Sequence, residues 1–181
     1  MINRKIIIRT AVAALAFSAA GFVTLTEEEQ FVAKAMIPTK NDVPTVCFGM
    51  TWRPDGSRVK LGDTCTPVEG LQRSLAHISK EEAALKQCVT GEMTQGEYDV
   101  LVDFAYQYGV STTCKSSMVA FINTGYHEMA CHAYTMYKKS GGYDCSTMIK
   151  DKNGKLVRNK RCWGVWERNL ARRDSCLKAG V

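Results

Sequence analysis

Residues 29–51, EQFVAKAMIPTKNDVPTVCFGMT, contain the change of pattern on which the architecture of this chain depends. The run from Glu27 to Ala35 predicts a short helix that ends by Pro38, with its acidic first turn at the positive end of the helix dipole. Residues 38–58 then place the β-prone run Thr45-Val46-Cys47-Phe48 among proline, glycine and asparagine. This composition predicts a small lobe that contains a β-hairpin.

Beyond this lobe the apolar spacing is mostly helical. Apolar residues recur with the spacing of a helix, and so predict helices, over residues 66–89, 94–108, 116–123, 128–138 and 163–177. Residues 150–160 are polar and contain Asn153-Gly154, which predicts an exposed turn or hairpin. We therefore expect a mostly α member of the α+β class, with one small β-hairpin lobe and one larger helical lobe.

Cysteine usage points to an oxidising compartment. The eight cysteines lie between Cys47 and Cys176, and the first 46 residues contain none. Their number is even and no C-x-x-C pair occurs, which favours disulfides over a zinc site, although the pairing stays open. His127 and His132 are five residues apart, whereas a zinc-binding helix needs a spacing of about four to present both on one face. We expect no metal.

The N-terminus resembles an export signal. Arg4, Lys5 and Arg9 precede residues 10–25, TAVAALAFSAAGFVTL, which contain no charged side chain. By the positive-inside rule the N-terminus stays in the cytoplasm and the body is exported. The uncharged run is shorter than the roughly twenty residues that span a bilayer, and small residues dilute it, so it would anchor weakly.

Two interpretations of this segment remain open. A cleavable signal peptide could be cut near Ser18, Ala19 and Ala20. We favour an uncleaved signal-anchor, because apolar residues continue directly after these small residues. The expected organisation is then a signal-anchor segment over residues 1–26 and one catalytic domain over residues 27–181.

The chain is basic, with a formal net charge of +6. Basic residues concentrate near the N-terminus and between Lys150 and Arg173. Such a surface favours a polyanion: nucleic acid, anionic lipid headgroups or the anionic polymers of a bacterial wall. No nucleic-acid-binding motif accompanies the charge, so we expect no nucleic-acid partner.

Glu29, Thr45, Gly49 and Thr51 stand in a pattern that resembles the active-site segment of phage lysozymes of glycoside hydrolase family 24, and among them of the signal-anchor-release endolysins. Later blocks are similar to the same family in the expected order: residues 93–109, 116–125, 137–142 and 163–173. The resemblance therefore covers nearly the whole body of the chain.

The segment departs from the family pattern at several positions. Gln30 stands where glycine usually follows the glutamate, and Met36 where tyrosine is common. One extra residue precedes Thr45, so the position that is usually Asp or Cys falls on Pro38 or on Thr39, depending on the end from which it is counted. Asp42 is the only carboxylate in this loop.

The resemblance implies a lysozyme-like fold with an active-site cleft between its two lobes. It implies a muramidase that cuts the β-1,4 bond between N-acetylmuramic acid and N-acetylglucosamine in peptidoglycan, with inversion. Glu29 would protonate the glycosidic oxygen, and Thr45 with Asp42 or Thr39 would position the water. No cofactor is expected, and we expect a monomer.

Similar endolysins leave the inner membrane for the periplasm when it is depolarised. Glu29 follows Leu25 by four residues, so a membrane-embedded segment would hold it at the lipid boundary and keep the enzyme inactive. Because residues 10–25 contain no cysteine, activation by disulfide exchange with them is excluded. Two alternative functions remain: a secreted, disulfide-rich protein that binds wall polymer without cutting it, and a lytic transglycosylase.

Overall fold

The computed structural model describes residues 7–38 and 42–180, and the chain divides into two compact units. The first unit comprises residues 16–84, and the second comprises the residues up to 15 and those from 85 onward. The described elements in chain order are β1 Thr10–Ala11, α1 Ala19–Glu29, β2 Val32–Met36, β3 Thr45–Cys47, α2 Pro67–Cys88, β4 Glu92–Met93, α3 Gln95–Tyr108, α4 Val110–Cys114, α5 Ser117–Asn123, α6 His127–Ala133, β5 Lys139–Ser140, β6 Tyr143–Asp144, β7 Met148–Lys150, β8 Leu156–Arg158 and α7 Trp163–Ala179. The expected mostly helical α+β class is confirmed.

Helix α1 in the first unit corrects the predicted helix over Glu27–Ala35. It begins after Ser18, whose Oγ accepts a hydrogen bond from the Gly21 N–H at 3.0 Å, and it ends at Glu29. The three glutamates therefore lie in its last turn, at the negative end of the helix dipole, instead of in the first turn of a helix. The prediction was wrong because Val32–Met36 pairs antiparallel with Thr45–Cys47 and is therefore a strand.

The predicted hairpin lobe is confirmed. Strands β2 and β3 pair antiparallel, with Val32 opposite Cys47, Met36 opposite Thr45 and a register shift between them. A third segment lies along β2, since the Cys65 N–H donates to the Ala33 carbonyl at 2.9 Å. The lobe is small, and its core consists of the buried side chains of Ala35, Val46, Cys47, Val59 and Cys65.

Helix α2 confirms the predicted helical block over residues 66–89. Thr66 caps it, because its Oγ1 accepts a hydrogen bond from the Glu69 N–H at 3.3 Å. A Cβ at Gly70 would lie only 3.0 Å from Cε2 of Phe48, so glycine lets the helix lie close to the end of the hairpin. The helix thus supports the lobe that carries the active-site segment.

The second unit is built around α3, the predicted central helix. Thr94 and Glu97 form a capping box at its start, in which Thr94 Oγ1 accepts from the Glu97 N–H and Glu97 accepts from the Thr94 N–H. Its inward side chain Phe104 packs in a core with Met118 and Tyr134. Helix α6 is shorter than the predicted run over residues 128–138, and continues as a 3₁₀ turn over Tyr134–Met136.

All eight cysteines form disulfides, which resolves the pairing. The bonds are Cys47–Cys65, Cys88–Cys114, Cys131–Cys176 and Cys145–Cys162. The first bond lies in the first unit and the other three lie in the second. In the chain-entropy account, closing these loops restricts the unfolded chain and so stabilises each unit.

Part of the uncharged N-terminal run is folded into the second unit. Thr10 pairs with Met93 and Ala11 with Glu92, and the Val12 side chain that follows is buried. Farther along the run, Leu25 is fully buried in the first unit. Across residues 7–38 and 42–180, none of the helices has both the length and the apolar character needed to cross a bilayer.

Candidate active site

Glu29 is the last residue of α1 and is half-buried, whereas Glu27 and Glu28 are exposed. The next residue, Gln30, has φ 53°, a conformation that favours glycine. The backbone therefore turns sharply after Glu29, and the chain enters β2 two residues later. The usual glycine of the family pattern corresponds to this turn, which Gln30 makes at a cost in backbone strain.

The Glu29 carboxylate lies against Gly49. A Cβ built on Gly49 would lie 2.7 Å from Glu29 Oε2 and 3.6 Å from its Cδ, and Gly49 itself has φ 73°. Both the conformation and the contact therefore require glycine at this position. The structure thus brings together two of the residues that the sequence pattern singled out.

A tight turn after β3 places Gly49 at this contact. Val46 and Met50 exchange both backbone hydrogen bonds, each 2.9 Å long. The turn is anchored at Cys47, which has φ 57° and is held by its disulfide to Cys65. Arg73 from α2 also donates a hydrogen bond from Nη1 to Cys47 Sγ at 3.2 Å.

Thr45 is the first residue of β3 and Asp42 lies in the loop before it, and both contact the backbone of Val43. Thr45 is half-buried, and its Oγ1 donates to the Val43 carbonyl at 3.1 Å. Asp42 is exposed, and its Oδ1 accepts from the Val43 N–H at 2.8 Å. Because the Thr45 hydroxyl proton is used in this way, its oxygen lone pairs remain to accept a hydrogen bond from water. Thr39 lies outside the described residues.

Thr45 opens the strand that leads to Gly49. Cys47, where the turn towards Gly49 begins, follows Thr45 by two residues, which is about 7 Å along the strand. Asp42 precedes the strand and is exposed, whereas Thr45 is half-buried. Of the two groups, Thr45 is therefore the better fixed in orientation.

Another carboxylate of the lobe has a structural role. Arg53 donates two hydrogen bonds to Asp63, Nε to Oδ2 at 2.8 Å and Nη2 to Oδ1 at 2.7 Å. The Arg53 guanidinium lowers the pKa of Asp63 to about 2. Asp63 is therefore ionised at neutral pH and does not suit the role of a proton donor.

A polar cluster in the second unit was missed from sequence. Glu97 is buried and receives hydrogen bonds from Arg9, and His127 Nδ1 lies 3.7 Å from Glu97 Oε2. His132 faces Glu128 instead, with 3.9 Å between Nε2 and Oε1, so the two histidines of the segment face different carboxylates. Arg9, Glu97 and His127 line a cavity of about 510 Å³ that includes none of the candidate catalytic residues. Sequence offered one signal only, the capping pattern at Thr94 and Glu97.

Comparison with known proteins places this geometry in a family. The family model described as Phage lysozyme matches residues 26–155, more than two thirds of the chain. This match includes Glu29, Asp42, Thr45 and Gly49.

Individual proteins with similar sequences or structures are also endolysins or muramidases. The endolysin of Salmonella phage P22 is 27% identical over 124 residues, which cover 68% of this chain and 84% of that protein. The solved structure of an endolysin from Escherichia coli O157:H7 phage FAHEc1 has a TM-score of 0.71 at 24% identity, covering 92% of this chain and 96% of that one. The muramidase domain of SpmX from Asticaccaulis excentricus gives a TM-score of 0.67 at 16% identity, covering 90% and 98% of the two chains. These structures share the fold of this chain.

Proposed function

The chain belongs to the phage lysozyme family, and from this premise we propose that Glu29 is the general acid of its active site. The family makes the chain a glycosidase that hydrolyses peptidoglycan during lysis of the host cell. The contact between the Glu29 carboxylate and Gly49 carries the residue assignment. This contact holds the Glu29 carboxylate beside the turn that follows β3, and both residues lie within the residues that the family model matches.

In the proposed reaction Glu29 protonates the oxygen between N-acetylmuramic acid and N-acetylglucosamine as the β-1,4 bond breaks. Thr45 accepts a hydrogen bond from a water on the opposite face of the sugar and directs it towards the anomeric carbon. The water oxygen bonds to the anomeric carbon from the face opposite the leaving group, which gives inversion; its proton passes to solvent, and solvent reprotonates Glu29. Asp42 or Thr39 is the second group that assists this water, and no metal or organic cofactor takes part.

The first test compares turbidity clearing of permeabilised Gram-negative cells by the full chain and by Glu29→Gln. Glu28→Gln is the matched control, since it removes a neighbouring, exposed carboxylate of the same helix. We expect a loss of at least about a hundredfold for Glu29→Gln and near wild-type clearing for Glu28→Gln. Equal activity of Glu29→Gln and the wild type would refute the assignment.

Product analysis separates the alternatives. Hydrolysis leaves a reducing end, whereas a lytic transglycosylase leaves an anhydro sugar, and mass spectrometry distinguishes them. A non-catalytic wall-binding protein would release no fragment, and its Glu29→Gln variant would bind peptidoglycan as the wild type does. Thr45→Val and Asp42→Asn then rank the two water-positioning groups, and we expect the larger loss of kcat for Thr45→Val.

We also propose that residues 10–25 hold the newly made enzyme in the inner membrane, N-terminus inside, and that it enters the periplasm when they leave the bilayer. Support comes from the absence of charge in this run and from its dilution by small residues. In the described structure Ala20 and Thr24 are exposed within the same run. The enzyme acts as a monomer on peptidoglycan in this proposal.

The release proposal is tested by fractionating cells before and after depolarisation with an ionophore. The wild type should move from the membrane fraction to the periplasm. Ala20→Leu/Thr24→Leu should stay in the membrane, because leucine strengthens insertion while both positions are exposed in the folded chain. A wild type that is periplasmic before depolarisation would contradict the proposal.

A further inference from the structure

The net charge of the chain resides in one segment, residues 138–162, here called the basic segment. It contains eight basic and two acidic residues, a net charge of +6, which equals that of the whole chain. The remainder of the chain therefore has equal numbers of basic and acidic residues. Such a concentration of one sign creates a local field that attracts polyanions.

Two short hairpins form the basic segment. Strands β5 and β6 make the first, β7 and β8 make the second, and the Cys145–Cys162 disulfide ties their flanks together. In the second hairpin Met148 pairs with Arg158 and Lys150 with Leu156. Because paired residues share a face and neighbours alternate, these four side chains lie on one face of the hairpin.

This face is both apolar and basic. Leu156 is 59% exposed and Met148 is 48% exposed, and on the opposite face Ile149 is 45% exposed. A two-stranded hairpin has little stability of its own. Exposed aliphatic side chains do not add to it, because the hydrophobic effect stabilises only apolar surface that is removed from water. Their grouping beside lysines is typical of a surface that contacts a partner.

The two acidic residues of the segment are already engaged. Asp144 accepts a hydrogen bond from Ser146 Oγ and pairs with Lys138 Nζ at 3.0 Å. Asp151 Oδ1 accepts from the N–H groups of Asn153 and Lys155 in the turn between β7 and β8. Within the described residues, neither carboxylate forms an ion pair with a lysine side chain of the β7–β8 hairpin.

Four lysines in and beside the β7–β8 hairpin remain available to a partner. The side chains of Lys150, Lys152, Lys155 and Lys160 form no ion pair with any residue that the structure describes. Two arginines are engaged instead: Arg158 donates to Glu167 Oε1 at 2.8 Å, and the Arg161 guanidinium lies 3.9 Å from the centre of the Tyr143 ring. The lysines are the positive charges that an incoming anionic surface would meet.

We propose that the β7–β8 hairpin docks on an anionic phospholipid bilayer. The lysines bind headgroup phosphates, and Met148 and Leu156, which share one face of the hairpin, enter the interfacial region. An anionic bilayer binds both the lysines and the aliphatic side chains, since burial of the aliphatic side chains adds to the electrostatic attraction of the lysines. A wall polymer or a nucleic acid would bind the lysines but would not bury the exposed aliphatic side chains. The hairpin contains none of the proposed catalytic residues, and the proposal does not depend on their assignment.

The test is co-sedimentation of the full chain with vesicles of phosphatidylglycerol and phosphatidylethanolamine, and with phosphatidylcholine vesicles. Lys152→Gln/Lys155→Gln removes two hairpin charges, and Met148→Thr/Leu156→Thr removes two aliphatic side chains of the docking face without changing charge. Lys80→Gln/Lys178→Gln is the control, because it removes two exposed charges elsewhere. All variants share residues 1–25, so any binding by that run is common to every arm.

We expect the lysine variant to bind the anionic vesicles about 30-fold more weakly than the wild type. The aliphatic variant should bind about tenfold more weakly, and the control as the wild type does. Equal binding by the wild type and both hairpin variants, or an equal loss in the control, would overturn the proposal. So would unchanged vesicle binding together with weaker binding of the lysine variant to isolated peptidoglycan sacculi, which would make the wall polymer the partner.

Discussion

Arg9 donates two hydrogen bonds to the carboxylate of Glu97, Nη2 to Oε1 at 2.7 Å and Nε to Oε2 at 3.2 Å. Glu97 is only 2% exposed, and it also caps the start of α3 through the Thr94 N–H. The last basic residue before the uncharged N-terminal run therefore neutralises a carboxylate buried in the second unit. In the proposed membrane-held form, Arg9 lies on the cytoplasmic side, so this ion pair belongs to the released enzyme alone.

Arg9→Met should destabilise the folded chain by about 3–5 kcal/mol, because it leaves the Glu97 carboxylate buried without its cation. Arg9→Met/Glu97→Gln should recover part of this loss, since glutamine is neutral and its carbonyl oxygen can still accept from the Thr94 N–H. Urea unfolding of the two variants and the wild type measures the difference. A double variant no more stable than Arg9→Met would show that the ion pair is not the source of the loss.

His127 should make stability fall as the solution is acidified. Burial and, next, the nearby Arg9 charge lower the pKa of His127 below its ordinary 6.5. Above that value the histidine is neutral in both states and contributes no pH dependence. Below it the unfolded chain binds the proton first, so the free energy of unfolding decreases until the folded-state pKa is passed.

The measurement is the free energy of unfolding of the wild type and of His127→Gln between about pH 5 and 8. We expect a shallower loss of stability below about pH 6.5 in the variant. Identical pH profiles for the two proteins would show that protonation of His127 does not contribute.

Gly49→Ala tests the contact with Glu29. The new Cβ would lie 2.7 Å from Glu29 Oε2, so the carboxylate must move from its place. A shift of about an ångström at a catalytic group costs roughly a hundredfold in rate. We expect kcat to fall by about that factor while the protein still folds.

Gly56→Ala provides the control for backbone strain. Gly56 has φ 82°, close to the 73° of Gly49, but nothing lies within 4 Å of its added Cβ. Both variants should lose about 1–2 kcal/mol of stability, because alanine is disfavoured in this conformation. If both lose activity to the same extent, strain and not the Glu29 contact explains the Gly49 result.

Gln30→Gly should stabilise the protein by about 1 kcal/mol, because glycine adopts the 53° φ without strain. Gln30→Ala keeps the Cβ and should give no such gain. Thermal unfolding of the three proteins measures the effect. A gain in Tm for alanine equal to that for glycine would place its origin in the side chain of Gln30 instead of its backbone.

The helices could be predicted because their signals are local. Thr66 and Thr94 are caps whose side chains accept hydrogen bonds from the backbone three residues later, and apolar spacing marks the buried face of α3. The predicted helix start at Glu27 was wrong because the local charge of Glu27, Glu28 and Glu29 is typical of the first turn of a helix. Two features outweighed that signal: the capped apolar run from Ala19 onward, and the pairing of Val32 with Cys47.

The candidate site could be predicted only in part. Motif spacing identified Glu29, Thr45 and Gly49, but the contact between the first and the last arises from the turn after β3 and from the Cys47–Cys65 disulfide. Neither is visible in local sequence, since eight cysteines can pair in many ways. The Arg9–Glu97 pair joins residues 88 positions apart, and nothing in their neighbourhoods indicates it.

None of the four disulfides involves a residue before Cys47. Under the release proposal, disulfide formation in the body and release of the N-terminal run from the membrane are therefore chemically independent events. Each newly made copy of the enzyme can then form its disulfides while it is held in the membrane, and inactive, fully oxidised molecules accumulate during the infection cycle. The moment of lysis is then set by a physical change in the membrane and is synchronous for old and new molecules alike.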